Sequence, residues 1–153
     1  MKNRLKRRIG ALKALNGRMN IEMADLRQTH RQADDRLQVL EEKLTLIDGE
    51  ISEAERCVRS ALEPGTNLML EEYRMLLAYL DHKQRIRFNN ERQHGFARDR
   101  LEKIEDEMTQ QGLKIRGMEN LLERRLRELA LDNENKQLLL LDETWLQNQR
   151  DEA

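Results

Sequence analysis

Three histidines (His30, His82 and His94), one cysteine (Cys57) and adjacent carboxylates such as Glu41-Glu42 and Glu71-Glu72 are the side chains best able to do chemistry in this chain. Their spacing argues against it. The histidines are scattered, and no His-Glu-x-x-His helix or paired-cysteine spacing for zinc occurs. A Walker loop, a Rossmann glycine pattern and a Gly-x-Ser-x-Gly elbow are also missing. His30 has Asp34 one turn on, but one imidazole and one carboxylate do not make a metal site. The acidic pairs read as solvated helix faces, because two paired helices offer no concave pocket in which to shift their pKa values. The expectation is a protein that is not an enzyme, with no catalytic, cofactor-binding or metal residues. Cys57, being alone, forms no intrachain disulfide and reads as a small, soft apolar residue.

The elements carrying these residues follow from composition and period. Of 153 residues, 37% are charged and only 3% aromatic, which leaves enough apolar surface for a thin seam but not for a globular core. The stretch Leu62-Glu63-Pro64-Gly65-Thr66-Asn67 holds the only proline, beside a glycine, between two long charge-rich helical patterns. Proline lacks an N–H and disfavours helix in the residue before it, glycine allows positive φ, and Thr66 or Asn67 can cap the next helix. The fold expected is all-α: an antiparallel two-helix coiled-coil hairpin, a rod folded once. Its first helix covers 1–62, its tip 63–67 and its longer second helix 68–150.

From Leu5 to Ala61 the apolar gaps alternate four and three. Leu5, Leu12, Met19, Leu26, Ala33, Leu40, Ile47, Ala54 and Ala61 take d; Ile9, Asn16, Met23, His30, Leu37, Leu44, Ile51 and Val58 take a. A 3.5-residue repeat sustained this long predicts a left-handed coiled coil, with an arm roughly 90 Å long. Only Asn16 and His30 interrupt it, and polar seam residues of this kind set register. Gly10 and Gly17 share the outward b stripe, where each costs on the order of 1 kcal/mol relative to alanine. Local flexibility is the plain account of them, and close approach of a surrounding protein wall the alternative.

The second helix repeats the pattern at Tyr73, Leu76 and Leu80, turns polar at Lys83, Arg87, Asn90 and His94, and becomes mostly apolar again through Ala97, Leu101, Ile104, Met108, Gln111, Ile115, Met118 and Leu122. A turn at 64–65 sets the polar stretch opposite Leu37, Leu40, Leu44 and Ile47. Either Ile86 and Phe88 rotate inward to cover them, or an apolar groove stays open. The same pairing leaves an overhang from about residue 130, with Asp132 onward unpartnered. There Leu138, Leu141 and Trp145 fall at i, i+3 and i+7 on one face, as helix-in-groove anchors do. The tail's alternatives are folding back or pairing with another copy.

The formal net charge is −1, but it is unevenly spread. Lys2, Arg4, Lys6, Arg7, Arg8, Lys13 and Arg18 precede the first acidic residue, whereas the far end leans acidic. Antiparallel folding brings these together. DNA binding by the basic start is disfavoured, because Leu5, Ile9 and Leu12 continue the seam through it and the Asn-x-x-Ala-Ala spacing of zipper proteins is absent. No stretch approaches the ~20 apolar residues of a membrane span, and no apolar core follows the basic start. The expectation is a cytoplasmic chain with no nucleic-acid partner and no membrane insertion.

A basic amphipathic start, an unbroken helical arm, a short tip and a longer returning helix together resemble the type III secretion stalk family, known as YscO or SctO in injectisomes and FliJ in flagella. The nearest local likeness is Leu70-Glu71-Glu72-Tyr73-Arg74-Met75-Leu76-Leu77-Ala78-Tyr79-Leu80 followed by Asp81-His82-Lys83-Gln84. The flagellar pattern has phenylalanine where Tyr73 aligns. The resemblance implies a non-enzymatic coiled coil, similar to the shaft of rotary ATPases, at the cytoplasmic side of an inner-membrane secretion apparatus. It implies a secretion ATPase hexamer and an export-gate protein as partners, with secretion chaperones as further ones. Carried over, it makes Arg4, Lys6, Arg7, Arg8, Leu138, Leu141 and Trp145 ATPase contacts, and Tyr73, Leu77 and Leu80 gate contacts. The alternatives are a chaperone or adaptor coiled coil that clasps client segments, or a purely structural coiled-coil dimer.

Overall fold

Residues rich in Leu, Glu, Arg, Lys and Gln, all good helix formers, build two helices: α1 (Lys2–Ala61) and α2 (Leu70–Asp151). The computed structural model describes residues 2–65 and 69–153. Together they form an all-α helical hairpin whose second helix is the longer. At the end of α1 the helix tightens, with the Leu62 amide reaching the carbonyls of Val58 and Arg59 and the Glu63 amide that of Ser60. Pro64 cannot extend it, and Gly65 takes φ +95°, a left-handed conformation that glycine adopts without a Cβ clash. The first bond of α2 runs from the Tyr73 amide to the Met69 carbonyl, and Glu71 and Glu72 complement the positive end of the helix dipole. Thr66 and Asn67, the expected caps, lie outside the described residues.

Two compact units divide these helices. In the unit Arg27–Asp106, Ala33, Leu40, Ile47, Ile51 and Ala54 of α1 and Ala97 and Ile104 of α2 are buried. His30, Leu37, Leu44, Val58 and Ala61 complete the α1 stripe half-buried. Of the two alternatives for this stretch, the open apolar groove is not the one seen: Leu40 is only 4% and Ile47 5% exposed. Ile86 turns inward and is half-buried, whereas Phe88 stays outside. Lys83 and Arg87, both half-buried, lie on the seam and send their heads across to acids of α1. Their alkyl stems thereby cover apolar surface while the charges stay wet.

In the other unit, residues up to Leu26 pair with α2 from Glu107 onward. Ile9 is buried, and Leu5, Leu12, Met19, Met23 and Leu26 are half-buried against an α2 stripe of Met108, Ile115, Met118, Leu122, Arg125 and Leu129. Asp132 and Asn133 are the last half-buried residues of α2; from Glu134 onward every residue is exposed. The overhang thus begins a turn later than about residue 130.

The register explains that shift. Across the seam Asp48 meets Arg87, Glu41 meets His94 and His30 meets Glu105. Each α2 partner sits about six positions further along than a turn at 64–65 requires. The helix α1 ends at Ala61 and α2 begins at Leu70, further along the chain than the Pro-Gly pair alone suggests.

Candidate functional site

Exposed apolar and charged surface with open, shallow grooves is what these helices offer. Among the described residues no group of three or more His, Cys, Asp or Glu could hold a metal ion. Nor is any described helix long and apolar enough to cross a membrane.

The α2 extension past Asn133 carries the largest run of uncovered apolar side chains. Leu138, Leu139, Leu140 and Leu141 are exposed, as are Trp145 (60%) and Leu146. Helical geometry aligns Leu138, Leu141 and Trp145 on one stripe, with Glu134 and Asp142 one turn to either side of Leu138. The Thr144 hydroxyl bonds back to the Leu140 carbonyl at 2.7 Å, so this turn is satisfied within the helix. The three predicted anchors therefore share a face that nothing described covers.

In the same unit the basic start and α2 frame a groove of about 330 Å³ between Arg4, Leu5, Arg8, Arg125, Glu128 and Asp132. Arg125 grips Glu128 through both carboxylate oxygens at 2.9 and 3.0 Å, and Lys136 holds Asp132 at 3.2 Å. The acids opposite the basic start are thus already engaged within α2. Arg4, Lys6, Arg7 and Arg8 are all exposed, and none joins an ion pair among the described residues. Their charge is free to meet an outside partner.

The gate candidates do not share one surface. Tyr73 and Leu80 are half-buried seam residues, and Leu77 is exposed. The apolar residues that do face outward near the connection are Leu62, Met69, Leu70, Met75 and Tyr79. Tyr79 is held by Lys83, whose ammonium lies 5.3 Å from the ring centroid. Cys57 is exposed too, not packed as a small apolar residue.

Seam polarity is organised by cross-helix bonds. Lys83 Nζ meets Glu50 at 2.6 Å, and that hydrogen bond raises its pKa above the ordinary lysine range, helped by the charge of Glu50 and opposed by desolvation. Arg87 is likewise raised by its hydrogen bond and charge interaction with Asp48, with Glu91 adding to it. His30 Nε2 lies 3.1 Å from Glu105 and His94 Nε2 3.3 Å from Glu41. His30 therefore uses a carboxylate of the opposite helix. Asn16 Oδ1, by contrast, is buried with no hydrogen-bond partner. Gln111, also on the seam, is buried and donates across the helices to the Met19 carbonyl (3.1 Å) and to Glu22 (3.3 Å). Its place in the heptad marked it as a polar seam position; its partners depend on the register.

The chain matches no protein-family model, no curated protein and no solved structure.

Proposed function

We propose that this chain is the central stalk of a type III secretion system: a non-enzymatic helical hairpin that inserts into a hexameric secretion ATPase and couples it to the export gate. The observation that carries the proposal is the uncovered α2 extension, where Leu138, Leu141 and Trp145 form one apolar stripe on a helix with no partner among the described residues. Burying such anchors is worth roughly 1.5–3 kcal/mol each before ordering costs, enough to hold a helix in a protein-lined channel. The unengaged guanidinium and ammonium groups of Arg4, Lys6, Arg7 and Arg8 suit an acidic ring and would steer entry. At the connection, Leu77 with Met69, Leu70 and Met75 offers the apolar surface for the gate, and Tyr73 and Leu80 support it from the seam.

The test is capture of a hexameric secretion ATPase by the full chain, with ATP hydrolysis measured in the same samples. Capture with altered hydrolysis supports the stalk. Failure of the ATPase to bind at micromolar concentrations in low salt would reject it.

A further inference from the structure

The leucine run of the α2 extension looks in more than one direction. Successive helical residues stand about 100° apart, so Leu138 to Leu141 face all sides of the helix. A contact made by Leu138, Leu141 and Trp145 therefore leaves Leu139, Leu140 and Leu146 in water, where they are 62%, 61% and 52% exposed. These three lie on a line that the fold already uses. The face of α2 that packs on α1 advances by alternating threes and fours through Ile115, Met118, Leu122, Arg125, Leu129 and Asp132, all half-buried. Carried on past Asn133, where that cover stops, the same steps reach Lys136, Leu139, Glu143 and Leu146, with Leu140 alongside.

A stripe that keeps a 3.5-residue repeat takes another helix, and continuity with the α1–α2 seam places that helix in line with α1, antiparallel to α2. Charge selects which helix. Laid antiparallel on itself in the pattern by which Asp48 meets Arg87 and Glu41 meets His94, the line sets Leu139 opposite Glu143 of the other copy and Lys136 opposite Leu146. Lys136 and Glu143 of opposite copies then come within reach of each other, twice by symmetry, and Leu140 meets Leu140. A parallel pair would set Lys136 on Lys136 and Glu143 on Glu143. Glu143 joins no ion pair among the described residues, and Lys136 holds Asp132 one turn back at 3.2 Å on exposed surface. The one like-charge contact of the antiparallel pair is Asp142 against Asp142, at its solvent edge.

We propose that the α2 extension pairs with the extension of a second copy of this chain, antiparallel, through Lys136, Leu139, Leu140, Glu143 and Leu146. The face of Leu138, Leu141 and Trp145 stays open in that dimer, so the inference goes beyond the stalk proposal and does not depend on it. With three leucines from each copy the contact falls below the roughly 1,200 Å² of stable specific interfaces, and association is weak and reversible.

Sedimentation of the full chain alone, from about 1 to about 300 μM at low salt, tests it. The wild type should move from the 18.3 kDa monomer toward a dimer as concentration rises. Leu139→Gln/Leu146→Gln should abolish this with far-UV circular dichroism unchanged, since glutamine forms helix about as well as leucine. Leu138→Gln/Leu141→Gln/Trp145→Gln should leave it intact. Lys136→Glu and Glu143→Lys should each weaken association about fivefold or more, and the double exchange Lys136→Glu/Glu143→Lys should restore it. Asp142→Asn should strengthen it. A wild type that stays monomeric at 300 μM overturns the proposal, as does a dimer that survives Leu139→Gln/Leu146→Gln or is lost with the opposite face. Single reversals without effect, a double exchange that fails to restore association, or an Asp142→Asn chain that associates no better overturn the antiparallel register. Because no ATPase is present, these outcomes are independent of whether the stalk contact exists.

Discussion

Leu40→Ala and the triple change Leu138→Ser/Leu141→Ser/Trp145→Ser remove apolar groups of similar kind from opposite environments. Leu40 is 4% exposed, so truncation loses nearly its whole transfer energy and leaves a cavity. Such changes cost 2–5 kcal/mol in well-packed cores. A two-helix seam relaxes more readily than a globular core, since no large side chain described here is completely buried, which puts the expected loss at about 2–3 kcal/mol. For a chain of this size that lowers Tm by roughly 5–10 °C. The three tail residues keep 60–65% of their surface exposed, so little burial is lost and the helix-propensity cost stays within the extension. Their combined effect on the cooperative transition should be under about 1 kcal/mol. Urea and thermal melts followed by far-UV circular dichroism, at concentrations low enough to keep the chain monomeric, read both. A triple variant destabilised as much as Leu40→Ala would mean that the extension is packed against the hairpin and that its anchors are core.

The hairpin register should be visible covalently: with Cys57 replaced by Ser, cysteines at Leu37 and Ala97, seam positions at one level of the observed cross-helix pairing, should oxidise within one chain at high dilution, and purely interchain crosslinks would reject the antiparallel seam. Lys83 has its folded pKa raised by Glu50, so its contribution to stability is complete below the unfolded lysine pKa and is lost as pH rises through the folded value. Denaturation between about pH 9 and 12 should show a decline that Lys83→Gln removes, and identical profiles would refute the assignment. Reversing Arg4, Lys6, Arg7 and Arg8 to Glu should weaken ATPase capture mainly at low salt, with unfolding little changed because none of the four holds an ion pair among the described residues. Lost helicity with unchanged capture per folded molecule would assign them to the coil instead.

The heptad phase was legible because a seam between two helices must lie on one stripe of each. Every position named from Leu5 to Ala61 is buried or half-buried, and so are Lys83, Arg87, Asn90 and His94, despite their polarity. The relative register was not. A heptad pattern maps onto itself when slid by seven residues, so periodicity cannot distinguish the observed pairing from one displaced by nearly that amount. The turn chemistry of Pro64-Gly65 marked the end of α1 but not the start of α2 at Leu70 or the register that follows from it. Everything that depends on who faces whom was therefore hidden. This includes the partner of His30, the cross-seam role of Gln111, and the ion pairs by which Lys83 and Arg87 reach Glu50 and Asp48 across the seam. The tail face was readable, because Leu138, Leu141 and Trp145 need only helical geometry to align.

Trp145 is the sole tryptophan, so its fluorescence reports directly on the face that the stalk proposal places against the ATPase. Free at submicromolar concentration it should emit like a solvated indole, in keeping with its 60% exposure. Titration with a tryptophan-free secretion ATPase hexamer should shift the emission to the blue, saturating in parallel with the change in ATP hydrolysis. Hydrolysis that responds while Trp145 stays solvated, or an emission that never shifts at saturating hexamer, would contradict insertion of this helix.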